Sequence, residues 1–460
     1  MSAAFASKLP RTFKGDFITP DHPEYAQAIS RWAVNAARKA RAVAFVKDNQ
    51  DVVHILKLAK DNNLAVAVRG GGHHAFGASS VEDGLVIDLS RYLSGVRVDP
   101  SKKLAYVGGG AVWETVDKEG IKHGLATVGG TVNHTGVGGL ILGGGYGWLS
   151  AAYGLAVDNL VQATIVTADG SVLTVNSTEN ADLFFAIRGG GGNFGVVTEF
   201  VLQLHPQRAT VYSGTLIFPT FLSEKVVSAT EKWHQTATEK ESVLEVATVG
   251  PDGNAVVIVI PFYNGSEAEG REHFKDLLVA GPVADISREI PYEELNSLQN
   301  PLSGHGRGVY MKGSAFKHLH PPSFIKAHQR FAEIVKGGIF NGAIIYEFFG
   351  LKKINSVAQD TTAFRRVQSH NILITLTWDP TQDRTEEAKT LVEGLSVIAT
   401  EGQENLTASD RLGYSNYDPE SAVGGKSKFI FGENYVRLQS IKKLYDPDNV
   451  FNKWFPIMPA

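Results

Sequence analysis

The residues best suited to chemistry in this 460-residue chain lie at 69–73, which reads Arg-Gly-Gly-Gly-His, and at the histidine that follows. A neutral imidazole nitrogen is a nucleophile, so His73 could form a covalent bond to a ligand. His74 is the adjacent alternative, and either ring could instead cap the loop by donating to a backbone carbonyl. Because glycine has no Cβ, backbone N–H groups in such a loop can approach an anion closely.

Three further glycine clusters occur within the first 195 residues, at 108–110, 143–145 and 189–192. One cluster alone could be a turn, but four together predict a cradle for a pyrophosphate. Segment 190–195 fits the G-x-G-x-x-G dinucleotide fingerprint. However, an apparent helix precedes it and an apparent strand follows it, which inverts the order that a Rossmann site requires. A P-loop also fails, because Glu420 stands where its first glycine should be.

The chain has no cysteine, which excludes disulfides, thiolate metal sites and any cysteinyl link to a cofactor. His318 and His320 form an i,i+2 pair that could bind a metal on a strand. Two prolines follow this pair and no carboxylate lies near it in the sequence, so a surface loop is the favoured interpretation. We therefore expect no metal site.

The overall composition excludes several classes of partner. Hydrophobic residues make up 43% of the chain and charged residues 20%, and the net charge is −4. There is no basic excess for nucleic acid or an anionic membrane. Without a transmembrane-length apolar stretch or a signal-peptide run, the sequence predicts a cytoplasmic protein. It predicts no oligomeric state.

Short strands and helices alternate up to about residue 208, and longer strands follow. Strands are predicted at 43–46, 64–69 and 84–88, with a helix at 52–62 that has apolar residues at i, i+3, i+4 and i+7. Later strands are predicted at 255–262, 342–350 and 372–378, and later helices at 322–335 and 385–401. This second pattern is typical of a largely antiparallel sheet covered by helices.

Segment 69–79 resembles the R-x-G-G-H-x-x-x-G-x-S loop of the vanillyl-alcohol-oxidase-like flavoproteins, in particular the berberine-bridge-enzyme-like group. Similar motifs follow in the family's order as far as the C-terminus, at 107–113, 136–139, 143–147, 158–159, 188–195, 414–417, 434–438 and 443–451. The middle of the chain is matched weakly. The resemblance covers the chain from about Val43 to its end.

The resemblance implies an α+β, two-domain PCMH-type FAD-binding fold. Residues 1–208 would form the FAD-binding domain, and residues 209–424 a substrate-binding domain whose antiparallel sheet, covered by helices, roofs the flavin. Residues 425–460 would return to the FAD-binding domain. The implied cofactor is FAD.

The resemblance also implies a role for individual residues. His73 aligns with the histidine that bonds to the flavin 8α-methyl carbon, Tyr417 with a catalytic base, and Asn416 with a flavin contact. The full set of expected cofactor-binding residues is Arg69, Gly70, Gly71, Gly72, His73, His74, Gly77, Ser79, Thr131, Val132, Gly136, Gly139, Gly143, Gly144, Tyr146, Asn159, Gly195, Val197, Tyr414 and Asn416.

Two departures from the family pattern bear on the chemistry. Val132 stands where many relatives carry a cysteine that attaches FAD a second time, so the resemblance implies a single link, at His73. Thr135 replaces a valine or isoleucine that often accompanies oxygen access, which leaves oxidase and dehydrogenase both open, with the oxidase favoured.

The expected reaction is oxidation of an alcohol or amine carbon of a small molecule, with hydride passing to FAD and dioxygen as acceptor. Tyr417 would take the substrate proton, although a free tyrosine, with a pKa of about 10, is a poor base. A cation or hydrogen-bond donors would have to lower that pKa, and Lys312 and His370 are the candidates. Two alternatives stay open. One is a flavin-dependent cyclase or isomerase of secondary metabolism with no net redox change, and the other is a flavin-binding protein without turnover.

Overall fold

A computed structural model describes residues 5, 7–250, 252–408, 410–421 and 425–460 of the protein. The first sheet along the chain has four strands. Three of its strands are parallel, and the fourth, at one edge, is antiparallel. In spatial order they are Asp16–Ile18, Ala42–Phe45, Leu85–Asp88 and Val66–Arg69. The crossover helix Asn49–Asp61 begins after Asp48, whose carboxylate accepts the N–H of Asp51. The glycine loop therefore starts at the carboxyl end of a buried parallel strand.

A second, five-stranded sheet is antiparallel throughout. Its order is Val96–Asp99, Leu104–Gly108, Val196–Gln203, Leu160–Val166 and Val172–Asn176. A small two-stranded pairing joins Leu125–Ala126 to His205–Pro206. The helices of this half of the chain are Tyr25–Ala28, Trp113–Ile121, Val137–Leu142, Ser150–Tyr153 and Ala181–Ile187, with 3-10 turns at Val34–Ala36 and Ala156–Asn159.

The largest sheet, which we call the roof sheet, has nine antiparallel strands drawn from residues 210–378. Its strands are Thr210–Ser213, Leu216–Pro219, Glu241–Val249, Ala255–Tyr263, Ala284–Asp285, Arg288–Pro291, Gly308–Phe316, Phe340–Phe349 and His370–Trp378. The helices of this region are Ser223–His234, Glu267–His273, Lys275–Val279, Pro321–Val335, Leu351–Ile354 and Thr385–Ala399. The remaining 3-10 turns are Thr220–Leu222, Tyr292–Ser297, Asn300–Leu302, Asp410–Leu412, Ser415–Tyr417 and Gly432–Asn434.

The two faces of the roof sheet pack against different parts of the molecule. One face shares a core with the long helices, through Tyr346, Ile372 and Ile374. The other face, through Ile345 and Phe349, shares a core with the first half of the chain. The expectation of an antiparallel sheet covered by helices is thus confirmed, and the predicted strands and helices agree with the observed ones to within a few residues.

The C-terminal segment, with helices Ser427–Phe431 and Tyr435–Tyr445, returns to the first half of the chain. There the buried Lys442 ammonium donates to the Asn193 carbonyl at 2.7 Å and to the Asp446 carboxylate at 2.6 Å. The domain limits at residues 208 and 424 stay a prediction, and the second falls at residues 422–424, outside the described part of the chain.

Candidate functional site

His73 lies in the loop that follows strand Val66–Arg69, and three rings surround it. It stacks on Trp32 with centroids 4.2 Å apart and an interplanar angle of 12°. Its Nε2 is 3.0 Å from Nδ1 of His134, and the His305 ring lies edge-on at 6.3 Å. Burial, together with the neighbouring His134 and His305, lowers the pKa of His73 to about 3. The ring is therefore neutral at physiological pH and keeps a nucleophilic lone pair.

His74 differs from His73 because both of its ring nitrogens make hydrogen bonds within the protein. Its Nδ1 accepts the backbone N–H groups of Phe76 and Ala78, both at 3.2 Å. The proton of the neutral ring must then sit on Nε2, which is 3.1 Å from the Ser421 hydroxyl. Both ring nitrogens are thus occupied in holding the loop, and burial lowers the pKa of His74 to about 4. This geometry favours His73 over His74 as the reactive residue.

Two arginines fasten the same loop. Arg69 Nη1 donates to Asp88 Oδ2 at 2.9 Å, and this carboxylate is fully buried at the end of a neighbouring strand. Arg31 donates to the Ser79 carbonyl at 2.6 Å. Three buried polar atoms of the loop have no partner among the described residues, namely Arg69 Nε and the hydroxyls of Ser79 and Ser80. Buried donors of this kind ordinarily have a partner, so they indicate a polar ligand.

Most of the expected cradle glycines bring backbone segments together rather than face open space. A Cβ on Gly70 would lie 2.8 Å from the Gly109 carbonyl, and one on Gly71 would lie 2.5 Å from Gly136. A Cβ on Gly143 would meet the Asn416 side chain at 2.2 Å. Gly139 differs, because nothing lies within 4 Å of its Cβ position. The glycines at 70, 71, 109 and 136 thus allow three loops to converge beside His73, and the binding of a pyrophosphate by their N–H groups stays a prediction.

A second group of expected residues meets around Tyr414. Its hydroxyl accepts the Gly145 N–H at 3.0 Å and the Asn416 amide at 2.7 Å. The Tyr146 ring packs edge-on against it with centroids 5.0 Å apart, and the Tyr417 ring packs on it at 4.9 Å. Tyr417 also packs against the apolar cluster that contains Trp32, the ring that stacks on His73.

Tyr417 donates its hydroxyl proton to Glu347 Oε1 at 2.8 Å, and Asn371 donates to Glu347 Oε2 at 3.1 Å. Burial raises the pKa of Glu347 to about 7, although both hydrogen bonds favour its charged form. Burial and the Glu347 charge raise the pKa of Tyr417 well above its usual value. Tyr417 and Glu347 can thus pass a proton between them, with the carboxyl poised near neutral pH, while the Asn371 amide holds that carboxyl in place.

The expectation that Lys312 or His370 lowers the pKa of Tyr417 is wrong. The His370 ring lies on the helix-covered face of the roof sheet, 4.8 Å from that of His234. Lys312 pairs with Ile374, whose side chain belongs to that same face. Strand alternation turns both side chains away from Tyr417, which packs over Gly313 on the opposite face.

The other expected residues lie in packing or loop positions. Asn159 is buried and its amide is fully used, because it donates to the Tyr153 and Leu155 carbonyls and accepts from His205. A Cβ on Gly195 would lie 2.5 Å from the Val166 carbonyl, and the buried Val197 belongs to strand Val196–Gln203. The Thr131 carbonyl accepts from Gln299, and that of Val132 from the Thr135 N–H. Gly77 has a φ of +88° in the His74 loop.

Sequence reasoning missed Glu347, His134, His305 and Trp32 as parts of this site. A signal existed for Glu347, which is a lone carboxylate inside the otherwise apolar run 343–349. A charge in such a strand must be paired or neutral. For His134, His305 and Trp32, the sequence carries no pattern that links them to His73.

A metal site and a membrane span are the other features that the sequence analysis considered. No group of three or more acidic, histidine or cysteine side chains in the described ranges could hold a metal ion. His318 is exposed and His320 directly precedes helix Pro321–Val335. No described helix combines the length and hydropathy needed to cross a membrane.

The residues present fit the FAD that the resemblance implies. The neutral, stacked His73 is a competent nucleophile, and the unpartnered Ser79, Ser80 and Arg69 groups can donate to phosphate. The open side of Gly139 leaves room for close approach to the backbone. Tyr417 packs against the apolar cluster of Trp32, which stacks on His73.

Comparisons with known proteins agree with this fit. A family model described as "FAD binding domain" matches residues 40–176, and one described as "Berberine and berberine like" matches residues 414–456. The FAD-linked oxidoreductase pgmH of Aspergillus terreus is 34% identical over 455 residues, which covers 95% of this chain and 92% of the relative.

Two solved structures have the same fold. The 6-hydroxy-D-nicotine oxidase of Arthrobacter nicotinovorans has a TM-score of 0.83 and 26% identity, covering 98% of this chain and 99% of that chain. A variant of berberine bridge enzyme in complex with (S)-reticuline has a TM-score of 0.84 and 20% identity, covering 100% and 98%, and at this identity shows the fold alone. On the near-complete match at 34% identity, this protein belongs to the FAD-linked oxidoreductases, with a berberine-bridge-enzyme-like fold.

Proposed function

We propose that the protein is an oxidase that holds FAD by a single covalent link at His73. It would oxidise the hydroxyl- or amine-bearing carbon of an uncharged, largely apolar small molecule. The observation that carries this proposal is the 2.8 Å hydrogen bond from Tyr417 to the buried Glu347, on the face of the roof sheet that meets the first half of the chain. When bound, FAD would accept a hydride from the substrate and pass the electrons to dioxygen.

The link at His73 is supported by the state of the two candidate histidines. Since His74 has both ring nitrogens in hydrogen bonds that hold the loop, it has no free lone pair. His73 is neutral and is held flat against Trp32. The absence of cysteine leaves no other attachment of the kind known from the resembling group.

Proton removal is assigned to Tyr417 and Glu347 acting together. A tyrosine whose pKa is raised cannot serve as a standing phenolate base. It can instead pass its own proton to Glu347 while its oxygen takes the proton from the substrate hydroxyl or amine. Glu347 must be ionised to accept that proton, so the reaction should gain speed as the pH rises through about 7.

The composition of the sheet face around Glu347 supports an apolar substrate. The cross-strand row that contains Glu347 is Leu244, Glu347, Asn371 and Ala315. The adjacent row is Val246, Ile345, Leu373 and Gly313. Glu347 is the one ionisable side chain in these two rows, and such a surface has few groups to hydrogen-bond a sugar.

Oxidase activity is favoured over dehydrogenase activity by the similarity to a protein named as an oxidase, at 26% identity over nearly the full chain. The test is an absorption spectrum and peptide mass spectrum of the purified protein, followed by anaerobic mixing with aryl alcohols and amines. The proposal expects FAD on the His73 peptide, bleaching without air, and hydrogen peroxide release in air. Product without bleaching would support a cyclase or isomerase instead, and flavin without any product would support a binding protein.

A further inference from the structure

We propose that a basic cavity at the edge of the roof sheet binds a small anion that carries phosphate or carboxylate oxygens. The cavity has a volume of about 220 Å³ and lies between the edge strand Gly308–Phe316, the end of helix Thr385–Ala399 and segment 411–419. The cations that line it take no part in the proposed oxidation, so this inference goes beyond that function.

The charged side chains that line this cavity are mostly cations. Lys312, Arg411 and Lys426 reach it from three separate segments of the chain, and Asp418 supplies the one carboxylate of the lining. Asp418 Oδ2 is 2.5 Å from Lys426 Nζ, and Glu420, outside the lining, is 3.2 Å from the same ammonium. Both carboxylates are thus engaged by Lys426, and the lining holds no carboxylate to balance Lys312 and Arg411.

Lys312 has no counter-ion within the protein. It is half-buried in the edge strand, and its ammonium makes no hydrogen bond or ion pair with any residue that the structure describes. A cation that is partly removed from water loses hydration unless an acceptor replaces it. An anion in the cavity would supply that acceptor, and it would form a charge-assisted hydrogen bond with the ammonium.

Arg411 is held in place by the backbone and keeps one donor group free. Its Nε donates to the Leu406 carbonyl at 3.2 Å, and its Nη2 donates to the carbonyls of Gln403 and Glu404 at 2.8 Å and 3.1 Å. Its Nη1 has no partner among the described residues, so it remains available to an anion in the cavity.

Two buried hydroxyls complete the donors of the cavity. The oxygens of Ser314 and Ser396 are 2.7 Å apart, and only one hydroxyl proton can lie between them. The other proton is therefore free to point at a ligand. Drug-sized ligands occupy pockets of about 300–1,000 Å³, so this smaller cavity suits a compact anion such as a phosphate or a dicarboxylate.

The cavity and the proposed reaction site lie on two sides of one backbone segment. Tyr417 donates to Glu347 in the site, whereas the next residue, Asp418, lines the cavity. This segment rests on the edge strand, because a Cβ on Gly313 would lie 3.0 Å from the Cβ of Tyr417. An anion held between Lys312 and Lys426 would therefore bridge the edge strand and the segment that carries Tyr417, and restrain their relative motion.

The experiment measures the binding of inorganic phosphate and of succinate to the full-length protein by titration calorimetry. Ionic strength is held constant with chloride, so that general screening does not change. We expect one saturable site per chain for at least one of the two anions. Saturation by phosphate alone assigns the site to a phosphate group, and saturation by succinate alone assigns it to a dicarboxylate.

Lys312→Gln should raise the dissociation constant by about tenfold or more, because one charge-assisted hydrogen bond is lost. Lys317→Gln is the matched control and should bind as the wild type does. Lys317 directly follows the same strand but is exposed and does not line the cavity. The absence of saturable binding for both anions, or equal binding in the wild type and Lys312→Gln, overturns the proposal.

Amide hydrogen exchange locates the bound anion. Exchange in segment 411–419 should slow when the anion is added to the wild type and stay unchanged in Lys312→Gln, whereas slowing confined to other segments contradicts the site. Should Lys312→Gln fail to fold, Lys312→Arg must retain binding and Lys426→Gln must weaken it, and unchanged binding in Lys426→Gln overturns the proposal. No substrate is added, so the result is independent of the proposed oxidation.

Discussion

The roof sheet carries two buried glutamates, one on each face, and each has a tyrosine as a neighbour. On the face toward the first half of the chain, Glu347 accepts from Tyr417 at 2.8 Å and from Asn371 at 3.1 Å. On the helix-covered face, Glu245 is the cross-strand neighbour of Tyr346. The Thr230 hydroxyl is close to Glu245, but no described side chain completes a hydrogen bond to its carboxylate, and the Tyr346 hydroxyl is likewise unpartnered.

The carboxyls of Glu245 and Glu347 both have a raised pKa but differ in their hydrogen-bond partners. Burial raises the pKa of each to about 7. A raised pKa therefore does not distinguish a reacting group from a buried one. Glu347 differs because it is hydrogen-bonded to Tyr417, which packs against the apolar cluster of Trp32. Glu245 lies on the face covered by the long helices.

Removing the Tyr417 hydroxyl should have the largest effect. In Tyr417→Phe, flavin reduction by substrate should slow by about 10²-fold or more, because Glu347 can no longer be reached by the substrate proton. Stopped-flow absorbance without air measures this rate. Tyr346→Phe is the control and should leave the rate almost unchanged. Equal rates in the two variants would remove the functional distinction between the pairs.

Replacing Glu347 should lower the rate of flavin reduction and abolish its dependence on pH. Wild-type flavin reduction should rise with pH through about 7, as the Glu347 carboxyl ionises. In Glu347→Gln the rate should fall by about 10²-fold and become flat over this range, because an amide cannot accept the proton from Tyr417. Reduction rates from about pH 5 to about pH 9 test this, with Glu245→Gln expected to retain the wild-type profile. A wild-type profile in Glu347→Gln would contradict the relay.

Glu245 should matter for stability instead. Its pKa is raised from 4.5 to about 7 in the folded protein, so the folded state is disfavoured as the pH rises across that window. A shift of this size corresponds to about 3 kcal/mol above pH 7. Glu245→Gln should therefore gain stability relative to wild type as the pH rises from 4.5 through about 7, measured by denaturant unfolding. A constant difference across this range would mean that the carboxyl does not titrate as described.

The smallest effect is expected from Asn371→Leu. Loss of the amide donor removes one hydrogen bond that favours ionised Glu347, so its pKa should rise above about 7. The pH midpoint of flavin reduction should move upward, and the rate at high pH should stay within a few-fold of wild type. A midpoint that moves downward would show that Asn371 does not stabilise the carboxylate.

The sequence by itself indicated the glycine loop before His73 and the antiparallel, helix-covered sheet, and its resemblance to a known family gave the flavin cofactor. The loop and the sheet follow from local patterns, since glycines adjacent to His73 and apolar alternation along a strand can be recognised within a few residues. Because the chain has no cysteine, the second, cysteinyl link of the resembling group is excluded whatever the fold.

The tertiary structure alone decided the partners of Tyr417 and His73. Tyr417 meets Glu347 across 70 positions, and His73 meets His134 across 61, through the register of the roof sheet and the convergence of glycine loops. Strand alternation also turned His370 away and Asn371 toward Glu347, a choice that the sequence left open. The physical reason is that a strand pattern fixes which residues share a face, whereas only packing fixes which face meets the site.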